Sequence, residues 1–158
     1  MITRATLKDM VMLAYLTDDM LDQLIPITEM RQFDEQEFVF NQGENADRFY
    51  FVQQGKVLLE QRISSTISIT LSAINPRYSF GWSALLDNGT YTVKALCAEP
   101  SQLISFRADK LKSLLNKNHS LGYIISQRLL RVIQKRYEIR TKQFVKAIRH
   151  HPDLGNLI

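Results

Sequence analysis

Residues 66–74, Thr-Ile-Ser-Ile-Thr-Leu-Ser-Ala-Ile, alternate without a break. Ile67, Ile69, Leu71 and Ala73 fall on one side, and Thr66, Ser68, Thr70 and Ser72 on the other. Successive side chains of an extended chain point to opposite faces, so this stretch predicts a half-buried strand. Ser64-Ser65 just before it predicts a hairpin turn back to Lys-Val-Leu-Leu-Glu-Gln-Arg-Ile, residues 56–63. The same texture runs from about residue 30 to residue 107. Short apolar runs in 37–62 are parted by Gly43 and Gly55, and two further strands, 91–98 and 101–107, are parted by Glu99-Pro100. Short strands at close spacing, with turn residues between them, predict a sandwich or small barrel.

Helical periodicity flanks this region. Val11, Leu13, Ala14 and Leu16 read as a first helix. Thr17-Asp18-Asp19 reads as the N-cap and acidic first turn of a second, carrying Met20, Leu21, Leu24 and Ile25, with Pro26 ending or kinking it. After residue 107, Leu111, Leu114 and Leu115 repeat at i, i+3, i+4, and the break at 116–118 precedes a long helix from about His119 to about Arg149. That helix has two apolar stripes. One holds Ile125, Leu129, Val132 and Ile139, the other Leu130, Ile133, Tyr137 and Phe144. Two separated stripes let a helix touch two surfaces. The β-branched heptad of Ile125, Val132 and Ile139 points to a parallel contact with a second copy, against which Arg136 and Gln143 count. The expected organisation is one domain over 1–158: N-terminal helices in 1–29, a β-roll in 30–107 and C-terminal helices, including the dimer helix, in 108–158.

The composition removes several function classes. No apolar run reaches the roughly 20 residues of a membrane span, and the N-terminal stretch, interrupted by Lys8 and Asp9, does not read as a signal peptide. A single cysteine, Cys97, allows neither an internal disulfide nor a thiolate metal cluster, which points to a reducing cytoplasm. His119, His150 and His151 all lie outside the expected roll, so no metal site is expected. Cys97 sits among apolar strand residues with no base near it in sequence, and no catalytic group is expected. Charge is uneven. Residues 1–106 hold 8 Lys/Arg and 13 Asp/Glu, whereas 107–158 hold 12 and 3. The basic run Arg128, Arg131, Lys135, Arg136, Arg140, Lys142, Lys146 and Arg149 suits either non-specific phosphate contacts or the acidic roll of the same dimer, and the second is the preferred reading.

Two local stretches carry a resemblance. They are Glu-Phe-Val-Phe-Asn-Gln-Gly-Glu-Asn-Ala-Asp-Arg-Phe-Tyr-Phe-Val-Gln-Gln-Gly-Lys-Val-Leu-Leu, residues 37–59, and Phe-Gly-Trp-Ser-Ala-Leu-Leu, residues 80–86, followed by a strand containing Thr92-Val93-Lys94-Ala95. With the order of elements, they resemble the cyclic nucleotide-binding domain of the catabolite activator and fumarate-nitrate regulator superfamily over most of 17–145. The resemblance implies a mainly β fold with flanking helices: a double-stranded β-helix, or jelly roll, with a long C-terminal helix. It also implies a cassette, Phe-Gly-Glu-x-Ala-Leu followed by an arginine, that holds a cyclic nucleotide. The glycine admits the ligand to the backbone, the short helix aims N–H groups at the phosphate, the glutamate accepts from the ribose and the arginine neutralises the phosphate. Here Phe80, Gly81, Ala84, Leu85 and Leu86 fit the frame. Trp82 stands at the glutamate, and the arginine position falls near Gly89 or Thr90, in a loop about two residues shorter than the family's. Thr90 and Thr92 offer only hydroxyls.

A charge-assisted hydrogen bond contributes about 1.5–3 kcal/mol, so losing both anchors predicts cyclic AMP binding weakened by several powers of ten. Trp82 has three roles open to it: core packing, stacking on a flat ligand, or closing the pocket. Packing is the reading its large burial favours. The sequence therefore reads as a regulatory sensor module without catalysis, binding cyclic AMP, cyclic GMP or another nucleotide-like small molecule weakly or with altered identity. The expected contacts are Phe80, Gly81, Trp82, Ser83, Ala84, Leu85, Thr90 and Thr92, with Gln127, Arg128 and Arg131 as a lid, and Ile125, Leu129, Val132 and Ile139 as the dimer seam. The rival reading is a ligand-free pseudo-receptor that serves as a dimeric adaptor for a protein partner. Sequence-specific DNA binding is not expected, since too few residues follow Arg149 for a helix-turn-helix domain.

Overall fold

The computed structural model describes residues 1–152; positions 153–158, at the end of the expected C-terminal segment, lie outside the described residues. Eight strands form: β1 Thr28–Phe33, β2 Phe38–Phe40, β3 Arg48–Gln54, β4 Val57–Arg62, β5 Ser68–Ile74, β6 Ser79–Phe80, β7 Lys94–Cys97 and β8 Ser101–Arg107. They make two antiparallel four-stranded sheets, ordered β1-β8-β3-β6 and β2-β7-β4-β5. First pairs with last, β1 with β8, and the next pair, β2 with β7, nests inside it. This is the jelly roll the sequence led us to expect. Helices α1 Arg4–Lys8 and α2 Asp18–Leu24 precede it in sequence, and α3 Ala108–Lys117 and α4 His119–Arg149 follow it.

Alternation explains how the roll is filled. Phe49, Tyr50, Phe51 and Val52 are all buried in β3, so both faces of that strand are covered. Phe49 and Phe51 meet edge to face at 5.1 Å, and Phe51 meets Phe106 at 6.1 Å. Tyr50, pointing the other way, stacks on Phe80 at 5.1 Å. Fully burying one such ring contributes about 1.5–3 kcal/mol, so the aromatic strand β3 anchors the sheet into which the cassette strand β6 is paired.

Three local readings change. The alternating stretch does form β5, and the hairpin closes through Ile63 N–H to the Ile67 carbonyl at 2.9 Å. Its apolar side is not half-buried along its length, however: Ile67 is 56% and Ile69 43% exposed. The reason is position, since β5 is the outermost strand of its sheet and pairs with β4 alone. Residues 9–16 are successive turns, not a helix; α1 lies earlier, and Met10, Met12, Leu13 and Leu16 are buried from those turns. Strand β7 starts only at Lys94, because Tyr91 is drawn inward: its ring lies 3.6 Å from that of Phe40 and the chain bends after it. Thr17 caps α2 as expected, accepting from Met20 N–H at 3.3 Å.

The chain divides into two compact units, Met1–Ile124 and the part from Ile125 onward. The first contains the roll with α1, α2 and α3. The described part of the second is the body of α4 and residues 150–152.

Candidate functional site

The β6–β7 connection is built around backbone geometry that few residues can supply. Gly81 adopts φ +79°, the left-handed region. A Cβ there would lie 3.3 Å from the Arg48 carbonyl oxygen and 3.3 Å from the Tyr50 ring, so the turn is pressed against β3. Trp82–Leu85 then makes one 3-10 turn, with Ala84 N–H donating to the Gly81 carbonyl at 3.2 Å and Leu86 N–H to Ser83 at 3.1 Å. Ser83 and Ala84 are buried, Trp82 and Leu85 half-buried.

The return is tighter still. A Cβ on Gly89 would stand 2.0 Å from the Ser83 carbonyl oxygen, so the chain folds directly back on the cassette turn. Ala46 N–H donates to the Gly89 carbonyl at 2.9 Å, Tyr91 N–H to Glu44 at 2.9 Å and Gly43 N–H to Tyr91 at 2.8 Å. The β2–β3 turn is thereby laced to the cassette. The Tyr91 hydroxyl completes the lacing: it donates to the Arg48 carbonyl at 2.7 Å and accepts from Arg48 N–H at 3.1 Å. Burial, above all, pushes this phenol well above the ordinary tyrosine range, so it stays protonated. Two hydrogen bonds from Asn41 hold the Glu44 carboxyl below its usual range.

The expected contacts are only partly brought together. Phe80 is fully buried under Tyr50 and Phe40. Gly81, Trp82, Ser83, Ala84 and Leu85 form one continuous turn. Thr90 is exposed in an isolated bridge with Asn45, and Thr92 is exposed beyond Tyr91. Gln127, Arg128 and Arg131 lie on α4 in the second unit, Gln127 and Arg131 exposed and Arg128 half-buried. On the same helix Ile125 is buried, Leu129 and Val132 are half-buried and Ile139 is 42% exposed.

A cleft of about 500 Å³ opens at the far end of the cassette. Leu86, Asn88 and Gly89 line it, but residues 80–85 do not. Its other walls come from Asn45–Arg48 and the start of α3, which brings in Asp47, Arg48, Arg107, Asp109 and Lys112. Sequence reasoning passed over these residues; the signal available was the turn after Gly43 and the start of the helix after β8. Nearly every cation around the cassette faces an acid. Lys94 is 2.9 Å from Glu60, Arg77 3.1 Å from Asp9, Arg48 2.7 Å from Glu29 and Arg107 3.0 Å from Asp109. Lys112 alone of this group hydrogen-bonds the cassette itself, reaching the Leu86 carbonyl and Asp87, each at 3.4 Å. No group of three or more metal-ligating side chains occurs among the described residues, and no described helix is long and apolar enough to cross a membrane.

A glycine-opened turn, set between two strands of an antiparallel jelly roll and followed by a long helix, defines the class of regulatory jelly-roll domains built around such a cassette. Within that class the chain belongs to the cyclic nucleotide-binding domain family, whose profile matches residues 30–118. It is 31% identical over 98 residues to the CRP-like cAMP-activated global transcriptional regulator of Mycobacterium tuberculosis, a match spanning 62% of this chain and 42% of the relative. It is 28% identical over 118 residues to the cyclic AMP receptor protein of Thermus thermophilus, spanning 72% and 55%. The chain thus spans about half the length of these curated relatives. A crystal structure of a putative cyclic nucleotide-binding protein from Geobacter metallireducens superposes with a TM-score of 0.77 at 25% identity, over 87% of this chain and 99% of that one. The relatives whose names state a role are regulators.

Proposed function

We propose that this protein is a cytoplasmic sensor module, not an enzyme, that holds a nucleotide-like small molecule against the backbone of Gly81, Ser83 and Ala84 and signals through α4. The observation that carries the reading is the left-handed Gly81 opening a 3-10 turn that is packed into the roll on one side and laced to the β2–β3 turn on the other. Such a cassette contributes amides but no arginine, and Lys112, which reaches the Leu86 carbonyl while paired with Asp87 at 3.4 Å, is the proposed assisting cation. Gln127, Arg128 and Arg131 are the proposed closing contacts. Ligand binding would then act by population shift, favouring whichever arrangement of a homodimer closes on it.

The dimer is supported by what α4 leaves uncovered. Leu130, Tyr137 and Phe144 repeat at heptad spacing and are 58%, 71% and 65% exposed, with Ile133 beside them. Together with Leu129, Val132 and Ile139, they give the helix apolar surface for a second copy.

One observation favours a second reading, the ligand-free adaptor for a protein partner. The guanidinium that the resemblance calls for is missing, and Lys94, Arg77, Arg48 and Arg107 are each committed to a carboxylate. The melting temperature measured with millimolar cyclic AMP, cyclic GMP and other nucleotides separates the two. Binding stabilises the fold by RT ln(1 + [L]/Kd), so a rise that grows with the logarithm of concentration supports the sensor, and no rise with any of them supports the adaptor.

A further inference from the structure

Between His119 and Pro152 the chain carries eight Lys or Arg and one acid, Glu138. Helix α4 sorts these cations. At 100° per residue, Arg128, Arg131, Lys135, Lys142, Lys146 and Arg149 fall within an arc of about 60°, while Arg136 and Arg140 turn elsewhere. Arg128 is half-buried and the other five are exposed. At 1.5 Å per residue the row extends over about 32 Å. Glu138 borders it and is held by a hydrogen bond from Gln134 at 3.3 Å. The exposed apolar stripe of Leu130, Ile133, Tyr137 and Phe144 is centred about 160° away, and Leu129, Val132 and Ile139 about 80° away, so the stripe and the row can be occupied at once.

We propose that this cationic row is a docking surface for the phosphate backbone of a nucleic acid duplex, bound without regard to base sequence. The match is one of linear charge. Six cations in about 32 Å give one per 5–6 Å, a straight array facing a partner that carries one charge per about 3.4 Å on each strand. An acidic roll fits less well. The acids of the first unit come in short groups: Asp18, Asp19 and Asp22 are already faced by Arg4 and Lys8, and Asp34, Glu35 and Glu37 span only four residues, too short for a row of about 32 Å. An anionic membrane fits less well too. A helix lying on a bilayer buries its apolar face, and here that face is the stripe the proposed dimer would cover. Phosphate contacts carry no sequence information, which is why the expected binding is sequence-independent.

The test uses the whole chain, two DNA duplexes of unrelated sequence and about 20 base pairs, and fluorescence anisotropy across a salt series. If all six cations engage, log K falls with log salt at a slope near −5, about 0.9 per phosphate contact, and affinity drops about 10³-fold between 50 and 200 mM. Both sequences bind alike. The triple variant K135Q/K142Q/K146Q, which leaves the proposed lid residues untouched, lowers the slope by about 3 and reduces that drop to about forty-fold. The charge-matched control K56Q/K110Q/K117Q leaves the slope unchanged. All three stripe positions are exposed, and circular dichroism checks that α4 is retained; the wild-type slope reads independently of any variant. The proposal is overturned by an absence of duplex binding, by a wild-type slope shallower than about −2, or by a control variant that acts as strongly as the stripe variant. Polyglutamate or phosphatidylserine vesicles binding at least as tightly as the duplex would also overturn it. Arg128 and Arg131 belong to both the row and the proposed lid, so the salt series is run without nucleotide, and the cassette ligand is read separately by the melting series.

Discussion

Replacing Tyr91 by Phe keeps the ring, its stack on Phe40 and almost all of its volume, and removes one oxygen. That oxygen serves both the N–H and the carbonyl of Arg48, at 3.1 and 2.7 Å, in a residue 3% exposed. A buried polar group deprived of its partner costs about 1–3 kcal/mol. With the carbonyl retaining a second lone pair, the expected loss for Y91F at pH 7 is about 3 kcal/mol. For a chain of this size that is a fall in melting temperature of roughly 6–12 °C. Alkaline pH gives a second, independent readout. The folded phenol's pKa is raised above its ordinary 10.0, so its stabilising contribution is complete below pH 10 and is lost as pH climbs from there towards the folded value. The variant has no such proton, so the stability gap between wild type and Y91F narrows above pH 10. Tyr50, also raised by burial, titrates in both proteins and interacts with Tyr91, so Y50F and Y50F/Y91F complete the comparison as a double-mutant cycle. Urea titrations followed by circular dichroism and by the fluorescence of Trp82, the only tryptophan, report the fold and the cassette together. A loss below about 0.5 kcal/mol at pH 7, or a gap unchanged at high pH, would refute the claim that this hydroxyl laces the cassette to β3.

Gly89→Ala places a methyl 2.0 Å from the Ser83 carbonyl oxygen; it should lower stability by several kcal/mol or prevent folding, whereas Ala at Gly43, where nothing lies within 4 Å, meets only the cost of its positive φ. Thermal melts of the two variants give the comparison. Cys97 is fully buried and its thiol is pushed up mainly by burial, so Ellman's reagent should label the native protein negligibly and the urea-unfolded protein completely. L130E/Y137E puts two carboxylates on the exposed stripe of α4 and should convert the proposed dimer to monomer in light scattering coupled to size exclusion, leaving the melting profile of the roll in place.

Much of this fold is written in local patterns, because strand alternation and helix periodicity are properties of neighbours. Thr17 announced α2, and the 101–107 and 119–149 segments read directly as β8 and α4. What neighbours do not carry is what stands opposite. Ile67 and Ile69 alternate as well as any core strand, but their burial depends on whether another layer covers β5, and at the edge of the sheet the alternation is kept while the cover is not. The cleft at the cassette's end was hidden for the same reason. Asp47 lies about sixty residues before Arg107 and Lys112, and it meets them where the Ala108 amide donates to the Asp47 carbonyl at 2.8 Å, joining the start of α3 to the β2–β3 turn.

The missing arginine also looks different in three dimensions. From sequence its place fell at Gly89 or Thr90, and its loss and the short loop seemed two separate departures. The geometry makes them one. With the loop this short the chain must double back against Ser83, and the contact at Gly89 leaves no room for a side chain of any kind. Thr90, exposed in its bridge to Asn45, is the first position that can carry one. Restoring nucleotide binding therefore requires W82E together with T90R, and an arginine at position 89 should simply damage the fold. If W82E/T90R gains a melting-temperature rise with cyclic AMP while W82E/G89R loses stability without gaining binding, loop length is what set the cassette's chemistry. If neither gains binding, the cassette's backbone does not present its amides to a phosphate, and the adaptor reading is the one that stands.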